Sequence, residues 1–154
     1  MAKVLIVYDS KYGNTKTVAE TIAQGLKKVK GIETTLKSVK EVRPEEVPGF
    51  DAILVGSPNH IGRATSDIRK FIDNLGKMNL PGKAIAVFDT YMKEEIGKAV
   101  KGMEKQVGEK APGMRLLTPG LSIRVEGMKG PLTEGELPKC KEFGKRVGEK
   151  LVGD

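Results

Sequence analysis

Tryptophan is absent from this 154-residue chain, and cysteine and histidine occur once each. A single cysteine rules out an intrachain disulfide and a cysteine-rich metal cluster. With His60 the only histidine, any imidazole-based catalytic pair or metal site must be built on that residue. No serine sits in a pattern that supplies it with a base, so no catalytic residue and no metal ligand is assigned. No apolar run approaches the roughly 20 residues that a membrane-spanning helix needs. Internal repeats, low-complexity segments and blocks of like charge are missing as well. The opening stretch MAKVLIVYDS enters a strand pattern directly, without a signal peptide's cleavage features. A cytoplasmic protein that does not engage a membrane is the expectation.

What is present is an ordinary globular composition, 38% hydrophobic and 31% charged. The length suits one domain over residues 1–154 with a substantial buried core. The formal charge of +7, with a pI near 9.4, favours anionic partners. However, the basic residues are spread along the chain with Glu interleaved, as in LKKVKGIETTLKSVKEVR and KCKEFGKRVGEK. Nothing alternates aromatic with basic residues as a base-stacking surface would, so a solvated Lys/Glu surface is favoured over nucleic-acid binding.

Strand and helix patterns alternate throughout. Residues 3–8, 51–56 and 82–90 read as buried apolar strands, and 32–37 alternates as a strand nearer a sheet edge. RLLTPGLSIRV reads as a further strand, interrupted at Pro119–Gly120. Helical spacing recurs over Thr15–Lys30, Ser66–Leu75 and Glu94–Glu109, the last through Ile96, Val100, Met103 and Val107. A final helix starts near Glu136, where Thr133 and Glu136 have capping-box spacing. Its apolar face includes Phe143, Val147 and Leu151, which makes Cys140 a small core residue. Five short strands separated by helices predict a doubly wound five-stranded parallel sheet with helices on both faces. In such folds ligands bind beyond the carboxyl ends of the strands.

Three loops should therefore converge: Asp9–Thr15, Ser57–Thr65 and Asp89–Lys93. In the first, Ser10 and Thr15 supply hydroxyls and Asn14 an amide. Gly13 permits close backbone approach, and the following helix aims free N–H groups into the turn. Such a loop suits a phosphate group without needing a cationic side chain. It lacks the glycine patterns of nucleoside-triphosphate and dinucleotide binders, which leaves a monophosphate as the better fit. The competing reading is that Ser10 and Thr15 only cap the helix.

On these motifs the chain resembles the flavodoxin family, in its short-chain form, over nearly its whole length. DSKYGNT is similar to the family's FMN phosphate loop at Ser10, Tyr12, Gly13, Asn14 and Thr15. ILVGSPNHIG resembles its second flavin loop, and GLSIRVEG with KGPLTEGEL its last strand and the approach to its last helix. The resemblance implies a flavodoxin-like fold with bound FMN and one-electron transfer between redox partner proteins, without enzymatic activity of its own. Ser10, Lys11, Tyr12, Gly13, Asn14 and Thr15 would then surround the phosphate. Ser57, Pro58, Asn59, His60, Ile61 and Gly62 would border the flavin ring, with His60 either stacking on it or exposed. Asp89, Thr90 and Tyr91 complete the implied cofactor site.

Two departures from the family pattern stand out. VFDTYMKEEIG lacks the glycines that usually follow the third strand. Aligned from the strand, Tyr91 is the stacking aromatic; aligned from the next helix, that place falls near Glu95. The basic surface is the second departure, since flavodoxins are usually acidic, and it would invert the usual relation and favour an acidic redox partner. An alternative is a flavodoxin-like NAD(P)H:quinone oxidoreductase, whose corresponding segment resembles GSPNHIGRATSDIRKFID, although its insertions are absent here. A third is a binding module that keeps the fold without the flavin.

Overall fold

The structure is a computed structural model and describes residues 1–153. Strand β1 (Ala2–Tyr8) is followed by α1 (Asn14–Lys27), β2 (Ile32–Ser38), a 3-10 turn (Pro44–Gly49) and β3 (Ala52–Pro58). Then come α2 (Ser66–Leu75), β4 (Ala84–Tyr91), α3 (Lys98–Lys110), β5 (Arg115–Leu116), β6 (Leu121–Arg124) and α4 (Leu137–Gly153). The strands are parallel in the order β2-β1-β3-β4, with β5 and β6 both pairing β4 beyond. From β1 the chain turns to β2 on one side and then crosses to β3 on the other. That reversal opens a crevice between the loops that follow β1 and β3.

β5 and β6 are two pieces of one interrupted strand, and the break falls where Pro119–Gly120 predicts it. Pro119 has no N–H to give to a ladder. A Cβ on Gly120 would lie 2.6 Å from the Val87 carbonyl oxygen, so the chain crosses β4 too closely for any side chain. The Gly120 N–H is instead taken by the Glu104 carboxylate of α3 at 3.0 Å.

Alternation along each strand divides the core into two layers. Leu5, Val7, Ile53, Val55, Ile85 and Val87 face α2 and α3. Val4, Ile6, Leu54, Ala86 and Phe88 face α1 and α4. Phe88 pairs in register with Gly56, and its ring occupies the space that a side chain there would need. β2, at the sheet edge, has no fully buried residue, consistent with its polar alternation.

α1 and α4 run parallel and touch backbone to backbone. A Cβ on Gly25 would sit 2.1 Å from the Lys141 carbonyl oxygen, and one on Gly144 would sit 2.1 Å from that of Ile22. Cys140 is fully buried on this layer and donates its thiol to the Glu136 carbonyl at 3.6 Å. Burial, reinforced by the Glu136 charge, pushes its pKa up to about 12, so it is an inert core thiol as expected.

One expected helix start and one expected cap are corrected; the last helix starts at Leu137, next to the expected Glu136. α3 begins at Lys98 rather than Glu94, because Gly97 adopts φ 71° and turns the chain into the helix. Ile96 is therefore outside the helix and 60% exposed. The capping box before α4 does not form. The Thr133 hydroxyl donates to Glu126 at 3.1 Å, while Glu136 accepts the Arg124 N–H at 3.4 Å and pairs with Lys139 at 3.0 Å. Among the described residues no helix is long and apolar enough to cross a membrane.

The packing of α1 on α4 can be tested with a pair of glycine substitutions. Replacing a helical glycine by alanine favours the helix by about 1 kcal/mol. At Gly144 the added methyl meets a backbone carbonyl, and overpacking costs about 1–3 kcal/mol or more. Gly144→Ala should lower the urea midpoint, whereas Gly102→Ala in α3, whose Cβ would meet nothing within 4 Å, should raise it.

Candidate functional site

The three loops beyond β1, β3 and β4 do converge, and side chains buried beneath them fix their relative positions. Asp9, half-buried, accepts the Thr65 hydroxyl at 2.7 Å. Ser57 accepts the Thr65 N–H at 2.9 Å and donates to the Pro58 carbonyl at 2.8 Å. Thr65 also caps α2 by accepting the Ile68 N–H. The hydroxyls of Thr15 and Thr90, both buried, meet at 3.1 Å and join the first loop to the third. Asn59 joins the second loop to the third, donating its side-chain and backbone N–H groups to the Thr90 carbonyl at 3.0 Å each.

Asp89 gathers the remaining elements. It is fully buried, accepting the Val100 N–H at 2.9 Å on one oxygen and the Ser122 hydroxyl on the other. Ser122 in turn accepts the Gly97 N–H at 2.9 Å, and Asn59 accepts that of Ala99 at 3.0 Å. Three N–H groups at the start of α3, which lack helical partners, are thereby satisfied by three different elements. Burial raises the Asp89 pKa above the ordinary carboxylate value, and the bonds from Ser122 and Val100 oppose that rise in part.

Above this layer lies a cleft of about 250 Å³. Its walls are Ser10, Lys11, Tyr12, Asn14 and Thr15 from the first loop, and Pro58, Asn59 and His60 from the second. Thr90, Tyr91 and Met92 line it from the third, and Val125 and Met128 from a fourth segment. Among the described residues no aspartate or glutamate lines it. At one end, Gly13 at φ 93° starts α1 with no side-chain cap of its own and no acidic residue in the first turn. The Ser10 hydroxyl accepts the N–H groups of Gly13 at 3.0 Å and Lys16 at 3.3 Å.

The fourth segment is a hairpin over residues 125–132, closed by the Val125–Leu132 bridge and the Glu126 N–H to the Pro131 carbonyl at 2.9 Å. Gly130, at φ 97°, packs so close to the Asn14 amide that a Cβ would lie 2.6 Å from its oxygen. The Tyr12 hydroxyl donates to the Met128 sulfur at 3.9 Å. The Lys11 and Lys129 ammonium groups lie 5.4 and 5.9 Å from the Tyr12 ring centre.

Ten of the expected site residues line the cleft, and five do not. Gly13 acts through its backbone at the helix start, whereas Ser57 and Asp89 point inward as anchors. Ile61 and Gly62 form the tip of a tight turn in which His60 and Arg63 exchange backbone hydrogen bonds. Ile61 there has φ 52° and is 96% exposed, a conformation that costs an ordinary side chain about 1–2 kcal/mol. Tyr91 lies on the cleft wall but is largely buried at the end of β4. Met92, Val125 and Met128 are additions that the sequence does not announce, because isolated apolar residues in loops carry no periodic signal. Of the exposed large apolar side chains, Tyr12 and Met128 line the cleft, whereas Ile61 and Ile96 lie in the segments after β3 and β4.

A doubly wound parallel sheet with a phosphate-type loop at its switch point defines a flavodoxin-like protein, and the comparisons agree. Residues 5–124 match the flavodoxin domain family model. The flavodoxin of Aquifex aeolicus (strain VF5) is 31% identical, aligned over 97% of this chain and 86% of its own. Among solved structures, a flavodoxin from the domain Archaea superposes with a TM-score of 0.83 at 30% identity, covering 97% of this chain and 99% of that one. Oxidised flavodoxin 2 of Bacillus cereus gives 0.81 at 31% identity, with the same coverage. The chain belongs to the flavodoxin family.

The buried carboxylate gives the site a pH signature. At neutral pH the folded state bears the cost of a charged Asp89. That cost is relieved as pH falls through the raised pKa and vanishes below the unfolded-state value. Asp89→Asn can keep one acceptor for Val100 and a contact to Ser122 but cannot titrate. Between about pH 7 and pH 4, the wild type should gain stability relative to this variant in urea unfolding. A constant difference would show that Asp89 carries no net desolvation cost.

Proposed function

We propose that the cleft binds FMN and that the protein is a one-electron carrier between redox partner proteins, working in the cytoplasm. The observation that carries this reading is the character of the cleft wall. Among the described residues it holds no carboxylate, it ends at the start of α1, where the Ser10 hydroxyl accepts the Gly13 and Lys16 N–H groups, and its remaining lining mixes apolar, hydroxyl and amide side chains with Lys11 and His60. A phosphate dianion suits the helix start and the Ser10 loop, where backbone N–H groups and hydroxyls supply the donors. A planar ring suits the slot between Pro58–His60 and Tyr91–Met92, with Met128 and Tyr12 at its rim. Polarisable thioethers pack favourably against aromatic faces.

Bound FMN would supply the electron exchange, and the chain would supply binding, orientation and exclusion of water. Asn59 and Thr90, held by the bonds beneath them, would keep the ring-bordering backbone in one place. Lys11 and the α1 start would neutralise the phosphate. Membership of the flavodoxin family supports the same reading.

Titrating the protein with FMN, followed by stepwise anaerobic reduction, tests it. Two resolved one-electron steps are expected. A single two-electron step together with NADH-driven quinone reduction would favour the oxidoreductase, and a lack of flavin uptake would favour a flavin-free module. Ser10→Ala should weaken FMN about tenfold or more, the worth of a hydrogen bond to a charged group. Riboflavin, which lacks the phosphate, should bind the variant and the wild type alike.

A further inference from the structure

The charge of +7 is not distributed evenly over the folded molecule. Residues 14–30, which hold α1, carry four basic side chains against Glu20 alone. α4 carries five against Glu142 and Glu149. On the opposite face, α2 is balanced and α3 has four basic residues against two acidic. The loops around the cleft, residues 9–15, 58–65, 92–97 and 125–133, hold four basic and four acidic residues. The excess therefore lies beside the cleft, not over it.

The packing of the two helices turns these charges into one field. Gly25 rests against the backbones of Lys141 and Lys145, so the outer faces of α1 and α4 meet edge to edge. Their basic residues are exposed. Among the described residues only Lys139 of this set lies within ion-pair distance of a carboxylate, that of Glu136. The others are free to act on charges outside the molecule.

We infer that the α1/α4 face is a docking surface for an acidic patch on a partner protein, set to the side of the cleft. The inference rests on the carrier reading for its purpose but not for its geometry. Three interspersed glutamates suit a protein surface of mixed charge, against which like-charge contacts fix register. They are unfavourable toward a uniform polyphosphate. The face also has one arginine, Arg146, and no exposed aromatic, so it lacks the forked donors and stacking platforms of nucleic-acid readers. Its exposed large apolar residues, Leu137 and Val152, sit at opposite ends of α4 and form no stripe for a membrane interface.

The test is an amide chemical-shift titration of the isotope-labelled protein, with FMN and without it, using an acidic plant-type [2Fe–2S] ferredoxin as probe. Lys27→Glu, Lys28→Glu, Lys141→Glu and Lys145→Glu are combined in one variant. Lys70→Glu, Lys101→Glu, Lys105→Glu and Lys110→Glu are combined in a control with the same net charge on the opposite face. The expected result is shifts centred on α1 and α4. At low salt the first variant should bind about tenfold or more weakly than the control, with the difference vanishing at about 0.5 M salt. Equal losses in both variants, or shifts elsewhere, would overturn the proposal. So would tighter binding of the α1/α4 face to random-sequence duplex DNA, or to phosphatidylserine vesicles, than to the ferredoxin at matched salt. A protein that takes up no FMN yet binds the ferredoxin through α1 and α4 would refute the carrier reading alone.

Discussion

The carboxylate of Asp89 is where the separately folded parts of this molecule are joined. It stands at the end of β4, under the cleft, and reaches α3 through Val100 and β6 through Ser122. Asn59, from the loop after β3, completes the set by accepting the Ala99 N–H. A helix start buried in a sheet edge leaves N–H groups that neither water nor its own carbonyls can satisfy. Here the acceptors come from two strands and a loop, so satisfying the helix also locks these elements together. The cost is a charge taken out of water, which is why its proton is held more tightly than usual.

The cleft is built on top of this arrangement rather than within it. Its first wall is tied down by Thr15 to Thr90 and its second by Asn59 to the same residue, one position beyond Asp89. Thr90 is thus a shared post for both walls. Around the mouth the chain accepts local costs that do nothing for stability, the left-handed Ile61 above all. An exposed β-branched residue in such a turn is disfavoured both by its conformation and by its contact with water.

Much of this is legible in the amino-acid sequence. The bounds of α2, the interruption at Pro119–Gly120, the edge position of β2 and the burial of Cys140 all follow from local pattern, because periodicity and backbone chemistry decide them. The failures share a physical cause. Thr133 and Glu136 have the spacing of a capping box, yet Glu126 and the Arg124 N–H offer partners brought near by tertiary contact, and these win. The α3 pattern runs back to Ile96 because spacing alone cannot register the left-handed turn at Gly97. Asp89 reads as the start of a loop that reaches the cleft, but it lies within β4, and only its hydrogen-bond partners reveal that its side chain points away from the cleft. Met92, Val125 and Met128 leave no trace in local pattern because each acquires meaning only from its neighbours in space.

The hairpin that closes the cleft has a consequence for how the molecule is made. Tyr12 and Met128 face each other across 116 residues of chain, and α1 is covered by α4, the last helix. Bringing such distant segments together carries the full entropy of closing a long loop. During synthesis the loop after β1 and α1 leave the ribosome early, but the wall that holds Met128 follows 116 residues after Tyr12. Until then α1 can pack its apolar stripe against β1 and β3 but not against α4. The cleft therefore cannot take its final form on a fragment that ends before Met128.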